Sequence, residues 1–193
     1  MRSPRPSTKI TARRSREALR AGRHSWRLGR ALNQTLTIRL DEAAGDEFAP
    51  QRQMQAFLRK FSSWLRYRRR LQDDDAPDLV GPPIWEFVFE KRTRLHAHLM
   101  LHVPDHLLDG FLQAYPKWCA KVFGERSRAD VDYQPIRHLN GLLRYNLKGT
   151  DRFQAHRFGI RPSDQGTIWG PHVRASRALG PTARERRIEA SKT

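Results

Sequence analysis

The sequence predicts an α+β fold: a central antiparallel sheet built round one hairpin, flanked by helices, with basic flexible termini. Three observations predict it. Residues 84–90 alternate, with Trp85, Phe87 and Phe89 on one side and Glu86, Val88 and Glu90 on the other. Residues 95–103 alternate again, setting Leu95, Ala97, Leu99, Leu101 and Val103 against His96, His98, Met100 and His102. Two longer stretches, 51–71 and 105–123, repeat their apolar residues at helical spacing.

Taken in order, residues 1–30 form a basic arm, in which Arg2, Arg5, Lys9, Arg13, Arg14, Arg16, Arg20, Arg23, Arg27 and Arg30 stand against one acid, Glu17. Within it, 15–28 is expected to be helical on a partner and mobile otherwise. Residues 33–40 read as a strand with Leu36, Ile38 and Leu40 on one face and Thr35, Thr37 and Arg39 on the other. A loop at 41–50 leads to the helix at 51–71, whose stripe is Met54, Phe57, Leu58, Phe61 and Leu65. The acids, prolines and glycine of 73–83 end it. Lys91-Arg92-Thr93-Arg94 then turns one strand of the hairpin into the next. Its aromatic and aliphatic side should bury against helices, leaving a face of Glu86, Glu90, His96, His98 and His102. The helix at 105–123 carries Phe111, Trp118 and Cys119 on its stripe and Pro116 as a candidate kink. A short strand at 130–134, a helix at 139–149 closed by a glycine, a loop-rich tract and a basic helix at 182–189 complete the chain. The organisation is an arm at 1–30, one domain at 31–170 and a basic tail at 171–193.

Lys and Arg number 37 against 20 Asp and Glu, giving a formal net charge of +17 and a pI of about 11.3. Such an excess repels itself unless a polyanion neutralises it, which makes nucleic acid the leading partner and an anionic membrane surface the second. No apolar run approaches the ~20 residues of a membrane span, and the arginine-rich start lacks the apolar core of a secretory signal. The single cysteine, Cys119, excludes an internal disulfide and a cysteine-rich zinc site, and its apolar stripe predicts a buried thiol. No GxxxxGK[ST] motif is present, so no P-loop ATPase is encoded.

Two patterns carry chemistry. His96 and His98 project from one face of a strand, close enough to share a cation. In an antiparallel hairpin, one register sets Glu90 beside His96, and a shift of two sets Glu86 opposite His98. Either adds a carboxylate to the two imidazoles; Glu90 is preferred because it lies nearest the turn. Mixed oxygen and nitrogen ligands with open positions suit Mn²⁺ or Mg²⁺ acting on a phosphate, with zinc as the alternative. The second pattern is Tyr145 and Lys148, three apart on a predicted helix and so neighbours on one face. A tyrosine hydroxyl beside a cation can attack a phosphodiester, with the lysine favouring the phenolate or stabilising charge on the phosphate.

The order of these motifs resembles the HUH endonucleases, in the rolling-circle replication initiator branch. The threonine-bearing strand Thr35-Leu36-Thr37-Ile38, then His96-Ala97-His98, then Tyr145-Asn146-Leu147-Lys148 match its three motifs over about 34–149. Gln165-Gly166-Thr167-Ile168-Trp169-Gly170 is similar to the downstream part of small plasmid and phage initiators. The resemblance implies a five-stranded antiparallel sheet between helices, a metal at the histidines with a third polar ligand, and a single tyrosine that forms a 5′-phosphotyrosine link. It implies nicking and rejoining of single-stranded DNA at a replication origin in the cytoplasm, starting rolling-circle replication of a plasmid or phage-like element, with helicase and polymerase from the host. A single-tyrosine HUH transposase and a non-catalytic basic nucleic-acid-binding protein are the alternatives.

Overall fold

The computed structural model describes residues 6–40, 46–71, 81–124 and 130–190. Half of the expected loop at 41–50, most of that at 73–83, and Arg2 and Arg5 of the arm lie outside them. In chain order the elements are β1 (Pro6–Ser7), α1 (Ala12–Arg27), β2 (Gln34–Arg39), α2 (Ala49–Leu71), β3 (Trp85–Lys91), β4 (Leu95–Leu101), α3 (Leu108–Phe123), β5 (Val131–Pro135), α4 (Leu139–Asn146), α5 (Arg152–Ala155), β6 (Ile168–Trp169), β7 (Val173–Ala175) and α6 (Pro181–Ala190). Five strands form an antiparallel sheet in the order β5-β2-β4-β3-β7. A separate two-stranded sheet pairs β1 with β6.

Period-two alternation decides which side chains each face receives. On one face Leu36, Ile38, Phe87, Phe89, Ala97 and Leu99 meet Met54, Phe57 and Phe61 of α2 and Phe111, Cys119 and Phe123 of α3. Burying each such phenylalanine contributes about 1.5–3 kcal/mol relative to exposure, and a slip of one residue would turn the whole set outward. Helix α3 runs through Pro116 without a break, and Cys119 is buried.

The other face carries a second core. Val88 and Met100 pack under Ala18, Leu19 and Ala21 of α1 and under Leu143 and Leu147 at the end of α4. The arm is therefore a docked helix over Ala12–Arg27, where a segment mobile without a partner was expected. Thr11 caps it, accepting from the Arg14 amide at 3.4 Å. Its buried residues are Ser15, Ala18, Leu19, Ala21, Gly22, His24 and Ser25, with Gly22 so close to Leu143 that a Cβ would overlap it. Small residues let helix and helix approach closely but contribute little hydrophobic signal, so the arginines between them dominate the sequence pattern. The basic tail also contributes structure: β7, in a tract expected to be loop, is the edge strand beside β3. Three residues are too few to display alternation.

Candidate active site

The hairpin adopts the register that sets Glu90 opposite His96 and Val88 opposite His98. On the other side of β4, Arg39 and Thr37 of β2 oppose the same two histidines. His96 and His98 therefore lie on the sheet face covered by α1 and α4, half-buried between a carboxylate strand and a threonine strand.

His98 is held at both ring nitrogens. Nε2 lies 3.1 Å from Glu90 Oε2, and Nδ1 lies 3.2 Å from Thr37 Oγ1. Glu90 is a carboxylate and can only accept, so Nε2 carries a hydrogen and donates it; in the neutral ring Nδ1 then accepts from the threonine hydroxyl. Burial pushes the Glu90 carboxyl up, but hydrogen bonds and charge from His98 and Lys148 outweigh it and hold the pKa at about 2. His96 is pushed below the usual imidazole range by burial and by neighbouring His98, against the pull of Glu90.

Tyr145 stands near the end of α4, and the chain then tightens into a 3₁₀ turn at Leu147–Gly149. Residues three apart nearly eclipse in such a turn, so the Lys148 ammonium sits 4.1 Å from the Tyr145 ring centroid. The same Nζ reaches Glu90 Oε2 at 2.8 Å, in a pair whose side chains are 15% and 10% exposed. Tyr145 itself is 58% exposed. The turn is thus oriented by the burial of Leu143, Asn146 and Leu147 beneath it, which leaves the phenol outward and the lysine inward. Tyr145, Lys148, Glu90 and His98 form a contiguous set, with His96 flanking Glu90 across the hairpin.

The donor types on this face suit a divalent cation: one carboxylate and two imidazoles, with Thr37 behind one of them to fix its ring. Their arrangement differs from a ligand set. Among the described residues no three His, Cys, Asp or Glu side chains converge as a metal-binding group. Glu90 Oε2 already accepts from Lys148 and His98, so a cation there must displace the ammonium and take His98 Nε2 in its unprotonated tautomer. Sequence reasoning missed Arg39 as the second neighbour of His96, which no local pattern reveals because β2 and β4 are far apart in the chain.

Glu86, the alternative ligand, lies opposite Met100 and Ala175, away from His96. It is fully buried, neither carboxyl oxygen has a hydrogen-bond partner among the described residues, and burial pushes its pKa well above 4.5. A group whose pKa rises on folding supports the fold below its unfolded value, about 4.5, and loses that contribution as pH climbs toward the folded value. Urea unfolding should therefore show wild-type stability falling from mildly acidic to alkaline pH, and Glu86→Gln should flatten that fall. An unchanged slope in the variant would show that Glu86 ionises in the fold without penalty.

No protein-family model, no curated protein and no solved structure matches this chain. The functional reading therefore stands on its residues and their geometry.

A second charged feature lies between α1 and α6. Arg13, Arg20, Arg23 and Arg27 of α1 and Arg184 and Arg187 of α6 line an open groove of about 820 Å³. Arg184 is tied to Glu17 and to the Leu179 carbonyl, and Arg187 reaches the Arg27 carbonyl at 3.2 Å. No helix among the described residues is long and apolar enough to cross a membrane.

Proposed function

We propose that the protein nicks and rejoins single-stranded DNA through a 5′-phosphotyrosine at Tyr145, acting at the replication origin of a rolling-circle plasmid or phage-like element in the cytoplasm. The observation that supports this reading is the reach of Lys148. Its ammonium touches the Tyr145 ring and the Glu90 carboxylate, which links the turn bearing Tyr145 to the hairpin whose two strands carry Glu90 and His-x-His.

In the reaction, Tyr145 Oη attacks the scissile phosphorus. The new bond joins tyrosine to the 5′-phosphate, the bond to the 3′-oxygen breaks, the phenol proton passes to solvent, and the 3′-oxygen takes a proton from solvent to leave as a hydroxyl. Lys148 stabilises charge on the phosphate. Glu90, His96 and His98 would hold Mn²⁺ or Mg²⁺, which supplies Lewis-acid polarisation of the phosphate when bound. Attack by the freed 3′-hydroxyl on the phosphotyrosine reverses the step and rejoins a strand. Helicase and polymerase would come from the host.

The test is incubation with Mn²⁺ and a random-sequence library of single-stranded oligonucleotides labelled at the 3′ end. The expected result is a labelled protein band that survives denaturation, because the covalent fragment is the one downstream of the nick. A second reading, a non-catalytic nucleic-acid-binding protein, is favoured by the ion pair that already occupies Glu90; it predicts tight binding and no such band.

The arginine groove supports a phosphate-binding role for the N-terminal helix. Deleting that helix would also remove Ala18, Leu19 and Gly22 from the core, so substitution is the cleaner probe. Changing Arg13, Arg20 and Arg23 to Ala should reduce the salt dependence of single-strand binding by about two units of slope, at ~0.7 for each phosphate left without its cation. An unaltered slope would place the phosphate path elsewhere.

A further inference from the structure

The carbonyls at the end of a helix have no partners within it and must find them elsewhere. At the nucleophile turn, several are taken by two segments distant in the chain. Ser163 N donates to the Lys148 carbonyl at 2.7 Å, and Ile10 N donates to the Gly149 carbonyl at 2.8 Å. The Asn146 carbonyl accepts from a side chain, Gln165 Nε2, at 2.9 Å.

Gln165 makes a second attachment. Its own carbonyl accepts from Lys91 N at 2.6 Å, at the residue next to Glu90. One residue thus bonds the neighbour of Tyr145 through its side chain and the neighbour of Glu90 through its backbone. It is fully buried although it lies in a loop. The surroundings are shaped to admit it: its amide lies where a Cβ at Gly149 would be, and Gly166, at φ +70°, brings its Cα against the Lys91 carbonyl, where no side chain fits. Asp164 Oδ1 accepts from Gly166 N at 2.8 Å and fixes the bend.

We propose that Gln165 is a positioning residue that sets the separation between the Tyr145–Lys148 turn and the Glu90–His98 pair. It touches neither phenol nor carboxylate; it fixes the backbone that carries each. The assignment rests on Tyr145 acting as the nucleophile. Misplacing a reacting group by about 1 Å can cost on the order of 100-fold in rate, and this residue controls a displacement of that kind.

The test uses the full chain and two variants. Gln165→Met keeps length and bulk and removes the amide donor; Gly149→Ala leaves Gln165 in place and pushes its amide out. Each should slow single-turnover adduct formation on the order of 100-fold, with the Kd for single-stranded DNA unchanged within about twofold because phosphate contacts dominate it. The double variant should be no slower than either alone, since both break one link. A spectroscopic readout accompanies the rates: with 3-fluorotyrosine in place of the chain's 4 tyrosines, the Tyr145 resonance should shift or broaden in both variants. Tyr115 and Tyr133, stacked on each other at 5.7 Å, should hold their signals.

If Gln165→Met forms adduct at the wild-type rate with the Tyr145 resonance unmoved, the proposal falls and the nickase reading stands. If all tyrosine signals collapse together in both variants, Gln165 supports the fold generally and the proposal is overturned. If wild-type protein forms no adduct, the nucleophile reading falls and takes the proposal with it.

Discussion

Tyr145→Phe should abolish the covalent protein–DNA adduct while leaving the fold and DNA affinity nearly intact. The substitution removes one oxygen from a side chain that is 58% exposed and contributes nothing to either core. Surface changes of this kind usually alter stability by less than about 0.5 kcal/mol. The phenylalanine ring still faces the Lys148 ammonium, so the Lys148–Glu90 pair should persist and the turn should keep its place. What disappears is the phenol oxygen proposed to bond to phosphorus. The expected readout is a missing band on a denaturing gel, with a retained shift on a native one. Lys148→Ala should behave differently: the adduct still forms, on the order of 100-fold more slowly, as expected for the loss of one electrostatic stabiliser. An adduct that survives Tyr145→Phe at wild-type yield would exclude this tyrosine, and Tyr115 and Tyr133 are poor substitutes because both are packed against the opposite face.

The second large effect should come from His96→Ala with His98→Ala. Both side chains leave the sheet on the α1–α4 face, while their strand's core contacts on the other face belong to Leu95, Ala97, Leu99 and Leu101. The double variant should stay folded, lose cleavage, and lose binding of Mn²⁺ as measured by electron paramagnetic resonance of the free ion. Glu90→Gln should impair both far more than Glu86→Gln. The sign of the acid response also differs between the two carboxyls. The Glu90 pKa is depressed to about 2 from 4.5, so its contribution to stability is present above 4.5 and is lost as pH falls toward 2. Acid unfolding of Glu90→Gln should lose this limb. Unaltered Mn²⁺ binding in the histidine variant would place any cation site elsewhere.

The elements legible in the sequence are those whose period is long and whose residues are large. Trp85, Phe87 and Phe89 opposite alternating acids fix a strand, and the short Arg92-Thr93-Arg94 connection leaves little choice in its register with β4. The stripes of α2 and α3 are legible for the same reason. The docked α1 is not, because serine, alanine and glycine make its buried face. Strand β7 is too short to display a pattern, and without it Ala175, the lateral neighbour of Glu86, is hidden as well. At the site, the spacing of Tyr145 and Lys148 already makes them neighbours, whereas the bond from Lys148 to Glu90 is tertiary and has no local signature. Gln165 is illegible for a further reason: its two bonds go to backbone atoms, which no side-chain pattern reports.

The pinning of the nucleophile turn from both flanks bears on when the site can exist during synthesis. Ile10 holds the Gly149 carbonyl, Lys9 pairs with Asp151 across 142 positions, and His172 Nε2 donates to the Ser7 carbonyl across 165. Contacts so far apart close late, after the local hairpin and helices have formed. A ribosome that has just released Tyr145 and Lys148 has yet to emit Gln165 and His172, so the emerging chain holds the nucleophile without its frame. Translation thereby separates the release of the basic Ala12–Arg27 segment from the completion of the long-range contacts that frame Tyr145 and Lys148.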